Sequence, residues 1–111
     1  HVYNKNLDAT NPATLSYNIN TKLLRNKLGF EGVLVSDDLQ MYAISKHYDL
    51  KQTLTLAINS GVNMLLFANQ LAKPITLKQI VDTVYSQILN KQISLEQIIK
   101  SNQRIDKMMN I

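Results

Sequence analysis

Apolar residues along this chain change their period several times, and each change marks an element. Over residues 17–28 the apolar positions Ile19, Leu23, Leu24 and Leu28 keep helical spacing. Ser16 stands before them as an N-cap, Leu15 lies outside it as a staple residue, and Gly29 occupies the place of a C′ glycine. The pattern therefore predicts a helix over 17–28. The run Gly32-Val33-Leu34-Val35-Ser36 is instead continuously apolar with two β-branched residues, which predicts a parallel strand covered on both faces. A helical turn or two is expected within 39–46. A further helix over 50–60 carries Leu50, Leu54, Ala57 and Ile58 on one stripe and stops at Gly61. Val62-Asn63-Met64-Leu65-Leu66-Phe67 reads as another buried strand ending in Ala68-Asn69.

Beyond a turn at Pro74, Thr76 with Gln79 and Ser94 with Gln97 form two capping boxes. The helices they open carry Leu77, Ile80, Val81, Val84 and Ile88, then Leu95, Ile98, Ile99, Asn102 and Ile105, each a stripe of helical period. At the other end, residues 1–3 read as the tail of a strand and 4–12 as a loop with a turn at Asn11-Pro12. Strand and helix alternate as in βα units. Two clear strands and a third at 1–3 are few for a parallel sheet, which needs crossovers and two covered faces. The chain also opens on His1 rather than Met. It is expected to be part of a larger domain, with no repeat and no linker inside it.

Composition narrows the function. With 111 residues and 45% hydrophobic content, the chain has the makings of one ordinary folded core. It has no cysteine, which removes disulfides and thiolate metal sites and fits a reducing compartment, so a cytoplasmic location is expected with export left open. The net charge of +4 comes from dispersed lysines without an arginine block or interleaved aromatics, so nucleic acid is not the expected partner. No apolar run approaches the roughly 18 residues that span a bilayer, and no membrane partner is expected.

The chemistry concentrates at Asp37 and Asp38, two carboxylates delivered by the end of the first predicted strand. In parallel α/β folds the C-terminal strand ends carry the reactive groups. Taken alone, such a pair also fits helix N-capping or a metal site.

The motifs Asn11-Pro12-Ala13-Thr14-Leu15-Ser16, Leu23-Leu24-Arg25 with Leu28-Gly29-Phe30, Gly32-Val33-Leu34-Val35-Ser36-Asp37-Asp38-Leu39-Gln40-Met41, and Ala57-Ile58-Asn59-Ser60-Gly61-Val62-Asn63-Met64-Leu65-Leu66 occur in collinear order over essentially the whole chain. Together they resemble glycoside hydrolase family 3, in its bacterial β-N-acetylhexosaminidase branch. The resemblance implies an α/β fold, the C-terminal portion of a (β/α)8 TIM-type barrel with two to three parallel strands and covering helices. On it, residues 1–111 form a partial catalytic domain comprising the last βα units and the C-terminal helices.

The same resemblance implies removal of terminal N-acetylglucosamine by retaining double displacement, with Asp37 as the nucleophile and no cofactor or metal. Asp38 transfers no role. His1 is implied to face the sugar pocket, with a structural role as the alternative; Met41 is implied to wall the pocket, with a core position as the alternative. Asn69 falls on the same rim and is a candidate to hydrogen-bond substrate. The family's His-Asp acid/base loop has no counterpart here, and His47 matches none of its motif. Amino-sugar glycosides, including peptidoglycan fragments, are the expected substrates of the intact enzyme, and the chain alone is expected to be inactive. A catalytically incomplete module that self-associates through exposed strand edges is the alternative. A phosphate-binding barrel would want a Gly-rich turn after the last strand, where Ala68-Asn69-Gln70-Leu71 stands instead.

Overall fold

A computed structural model describes residues 3–69 and 74–110 of the chain. A 3-10 turn at Ala13–Leu15 leads into a π-helix, Asn18–Lys27, followed by strand β1, Val35–Asp38. The short α1, Tyr42–Ser45, and then α2, Leu50–Ser60, return the chain to β2, Met64–Leu66. Helices α3, Leu77–Leu89, and α4, Leu95–Met109, complete the order. β1 and β2 pair in parallel, with α1 and α2 forming the crossover between them. This is the α/β architecture expected, a portion of a (β/α)8-type barrel.

Local signals explain the ends of these elements. Ser16 Oγ accepts the N–H of Ile19, as an N-cap should, and Gly29 adopts φ 74° where the helix stops. The helix between them is wider than expected: Leu28 N–H reaches back five residues to the Leu23 carbonyl. Thr76 and Gln79 form the full reciprocal box, whereas at Ser94 only the forward half is made, to Gln97 N–H. A reciprocal box that the pattern did not announce, Asp49 with Gln52, opens α2. Gly61 closes that helix at φ 109°, and a Cβ there would stand 2.6 Å from Thr21 Oγ1, so both conformation and space require glycine.

The core gathers Leu15, Leu39, Ile44 and Ala57, with Leu56, Leu65, Phe67 and Tyr48 packed against it. It lies on one side of the sheet, beneath α2. On the other side the expectation of a doubly covered strand fails: Val35 is 55% exposed, Leu66 47% and Met64 39%. The apolar run was written for two covers and the described residues supply one. The outer row of α3 repeats this, with Leu77, Val81, Tyr85 and Leu89 all exposed at four-residue spacing. β1 also starts later than the apolar run suggests and continues through both aspartates. Of the expected strand at 1–3, Tyr3 is irregular and the other two residues, His1 included, lie outside those described.

Candidate active site

The site is built around an irregularity in the sheet. Val35 pairs with Met64 and Asp38 with Leu66, so Ser36 and Asp37 together stand opposite Leu65 alone. Such a two-against-one bulge is uncommon in parallel pairs and redirects the residues it contains. Asp37 is exposed, at the C-terminal end of β1, and its Oδ1 accepts the N–H of Asp38 at 2.8 Å. Ser36 is buried and its hydroxyl accepts the N–H of Leu66 at 2.9 Å.

Asp38 does different work. Its Oδ1 accepts N–H groups from Gln40 at 3.0 Å and from Ala68 at 3.2 Å, which caps the turn after β1 and ties it to the end of β2. Gln40, buried, continues the tie: its Nε2 donates to Asn69 Oδ1 and its Oε1 accepts the Asn69 N–H. Asn69 holds a left-handed φ of 53° at the end of β2, and its Oδ1 also accepts from Ile75 N–H. Its position is the rim expected for a substrate contact, with its side-chain oxygen engaged by two protein donors. Met41, 39% exposed, lies just beyond β1 at the same end. Asp37, Met41 and Asn69 are therefore brought to one end of the sheet. His47 is exposed at the far end of α1.

Several other residues, inside and outside the motifs, brace the scaffold. Asn20 Nδ2 donates to the carbonyls of Ala13 and Thr14 and to Ser60 Oγ, while Thr21 Oγ1 donates to the Ser60 carbonyl. Arg25 donates to the carbonyls of Gly32 and Gly61 and to Asn63 Oδ1, below the N-terminal ends of both strands. Burial, then the charge of Arg104, lowers its affinity for its proton. The N-terminal strand ends are the face of such a barrel that serves stability.

Asp8, in the expected loop, was not singled out by the sequence pattern. It accepts hydrogen bonds from the Ser16 hydroxyl and from the N–H groups of Asn11 and Thr10. The Ser16 bond first, then the two backbone bonds, hold its pKa below the ordinary value against an opposing burial effect. Because the folded pKa is depressed, its contribution is complete above the unfolded value of about 3.9 and is lost as pH falls through the lower folded value. Thermal unfolding of the wild type and Asp8→Asn should therefore show a gap at pH 7 that narrows below about pH 4. A gap of constant size at both pH values would reject this.

An open groove of about 570 Å³ lies on the helical layer, lined by Lys51, Gln52, Thr55, Gln87, Asn90 and Gln92. Among the described residues no three His, Cys, Asp or Glu side chains gather as a metal site, and no helix is long and apolar enough to cross a membrane.

Comparison with known proteins places this geometry. Residues 1–108 match the family described as the glycosyl hydrolase family 3 N terminal domain. The chain is 34% identical over 104 residues to a protein named β-hexosaminidase A from Pseudoalteromonas piscicida, covering 87% of this chain and 17% of that protein. It is 32% identical over 98 residues to a β-hexosaminidase from Bordetella parapertussis, covering 88% and 26%. Among solved structures, a glycoside hydrolase family 3 β-N-acetylglucosaminidase from Paenibacillus sp. superposes with a TM-score of 0.81 at 31% identity, covering 96% of this chain and 20% of that one. A β-N-acetylglucosaminidase from Thermotoga maritima gives 0.76 at 29%, covering 86% and 21%. The chain thus spans about a quarter or less of the length of these relatives. With a parallel βα core matching them and the family's domain matched over nearly every residue, the chain belongs to glycoside hydrolase family 3.

Proposed function

We propose that the enzyme carrying this chain hydrolyses terminal N-acetyl-β-D-glucosaminide bonds with retention, and that Asp37 is its nucleophile. The observation that carries the reading is the place of Asp37: an exposed carboxylate in a bulge, at the C-terminal end of a parallel strand. Relatives named β-hexosaminidase and β-N-acetylglucosaminidase supply the substrate class. In the first step an Asp37 oxygen bonds the anomeric carbon from the face opposite the leaving oxygen. The glycosidic C–O bond breaks, and an acid from outside residues 1–111 protonates the departing oxygen. In the second step that group, now a base, takes a proton from water, whose oxygen displaces Asp37 and returns it as a carboxylate. Two inversions give net retention. No step calls for a metal or cofactor. Peptidoglycan fragments, which present such terminal sugars, are the substrates proposed.

Proton NMR of the longest natural polypeptide containing this chain, acting on an aryl N-acetyl-β-D-glucosaminide, should show the β anomer as first product. The α anomer first would reject double displacement. The uncovered face of the sheet and the exposed row of α3 favour a second reading, a non-catalytic module that associates through these surfaces. No hydrolysis by that polypeptide, together with self-association, would favour it.

A further inference from the structure

Ser36 forms no bond in the double displacement, yet it occupies the position that decides where Asp37 stands. We propose that Ser36 is a positioning residue for Asp37: its hydroxyl accepts Leu66 N–H from across the sheet and so holds the bulge in which the proposed nucleophile sits. This rests on the reading of Asp37 as nucleophile.

The geometry of Leu66 makes the case. In a regular parallel ladder one residue's N–H and C=O bond backbone groups two positions apart on the neighbouring strand. Leu66 pairs with Asp38 in this way, its C=O accepting from Leu39 N–H at 3.0 Å, and its N–H is also within 2.9 Å of the Ser36 hydroxyl, on the residue that precedes Asp37 in the bulge. Between its two paired positions β1 contains one residue more than β2, and the Ser36 hydroxyl ties that extra length to Leu66. Ser36 is only 6% exposed, so water is a poor substitute for that acceptor. On the other side of the bulge, Asp38 Oδ1 holds Ala68 N–H. Asp37 is thus bracketed by two side-chain to backbone bonds, one to Leu66 in β2 and one to Ala68 just beyond it. Losing the Ser36 bond would let β1 slide toward regular pairing, and a shift of one position turns a side chain to the opposite face.

Steady-state kinetics on an aryl N-acetyl-β-D-glucosaminide, in the longest natural polypeptide containing this chain, would compare wild type with Ser36→Ala, Ser36→Cys, Ser36→Thr and Asp37→Ala. Ser36→Ala should lower kcat about 100-fold with KM little changed, since misplacement by about 1 Å is enough for a loss of that order. Ser36→Cys, which keeps the volume but accepts weakly, should also lose kcat, and Ser36→Thr, which keeps the hydroxyl, should recover most of it. Titrating active centres with a slow fluorosugar that traps the nucleophile would refer each kcat to folded protein. Wild-type kcat per active centre in both Ser36→Ala and Ser36→Cys, beside an inactive Asp37→Ala, would overturn the inference alone. Activity surviving in Asp37→Ala would overturn the nucleophile assignment and this inference with it.

Discussion

Asp37→Ala should cost the intact enzyme roughly 10⁴-fold or more in kcat, the scale at which a residue that forms the covalent intermediate is missed. The expectation follows from its place. An exposed carboxylate at the strand end can reach a substrate, and its rotamer is restrained by the 2.8 Å bond from Asp38 N–H. Truncation to Ala removes the proposed nucleophile and opens a space of about the same size. A small anion such as azide should enter that space and restore turnover, releasing the inverted α-glycosyl azide in place of the β sugar. The neighbouring carboxylate supplies the control. Asp38→Asn keeps an oxygen able to accept from Gln40 and Ala68 N–H, so its kcat should stay within about tenfold of wild type, equivalent to about 1.4 kcal/mol of barrier. If Asp38→Asn proved the inactive variant and Asp37→Ala the active one, the roles would have to be exchanged.

The largest stability effect is expected at Leu15, the apolar anchor of the Pro12-Ala13-Thr14-Leu15-Ser16 motif. Its side chain is 1% exposed, in a core shared with Leu39, Ile44 and Ala57. It sits in a 3-10 turn whose carbonyls are already bonded to Asn20, which leaves little freedom for the backbone to close a cavity. Leu15→Ala should therefore lose about 2–5 kcal/mol. Against a total of about 5–15 kcal/mol for a typical domain, that is a large part of the whole. Leu28, 66% exposed beside the helix stop, offers the comparison: Leu28→Ala should change stability by no more than about 0.5 kcal/mol. Urea unfolding followed by circular dichroism would read both, as a shift of midpoint at constant slope for Leu15→Ala. Equal midpoints for the two variants would mean that Leu15 does not anchor the core.

The family motifs divide between chemistry and architecture in a way that their collinear order did not show. Pro12, Leu15, Ser16, Arg25, Ser60, Gly61 and Asn63, with Asn20 outside the motifs, join the loop, the π-helix and the start of both strands. Asp38 and Gln40 lash the far ends of the strands together. Asp37 is exposed at the strand end.

What the sequence by itself determined is what a few neighbouring residues can encode. Helical period, the caps at Ser16 and Thr76, the glycine stops at Gly29 and Gly61 and the delivery of Asp37 to a strand end are all written within one or two turns of chain. The family, and with it the α/β class, was legible for the same reason, since its motifs are short and in order. The tertiary structure alone decided the rest. The bond of Ser36 to Leu66 joins residues 30 apart, and Arg25 reaches Asn63 across 38. No local period records such pairings. The bulge shifts the register of β1 by one residue, which reverses the face a side chain occupies while leaving the hydrophobic pattern unchanged. The apolar run that leads into β1 announced a strand covered on both faces, and only the tertiary structure shows that the described residues cover one.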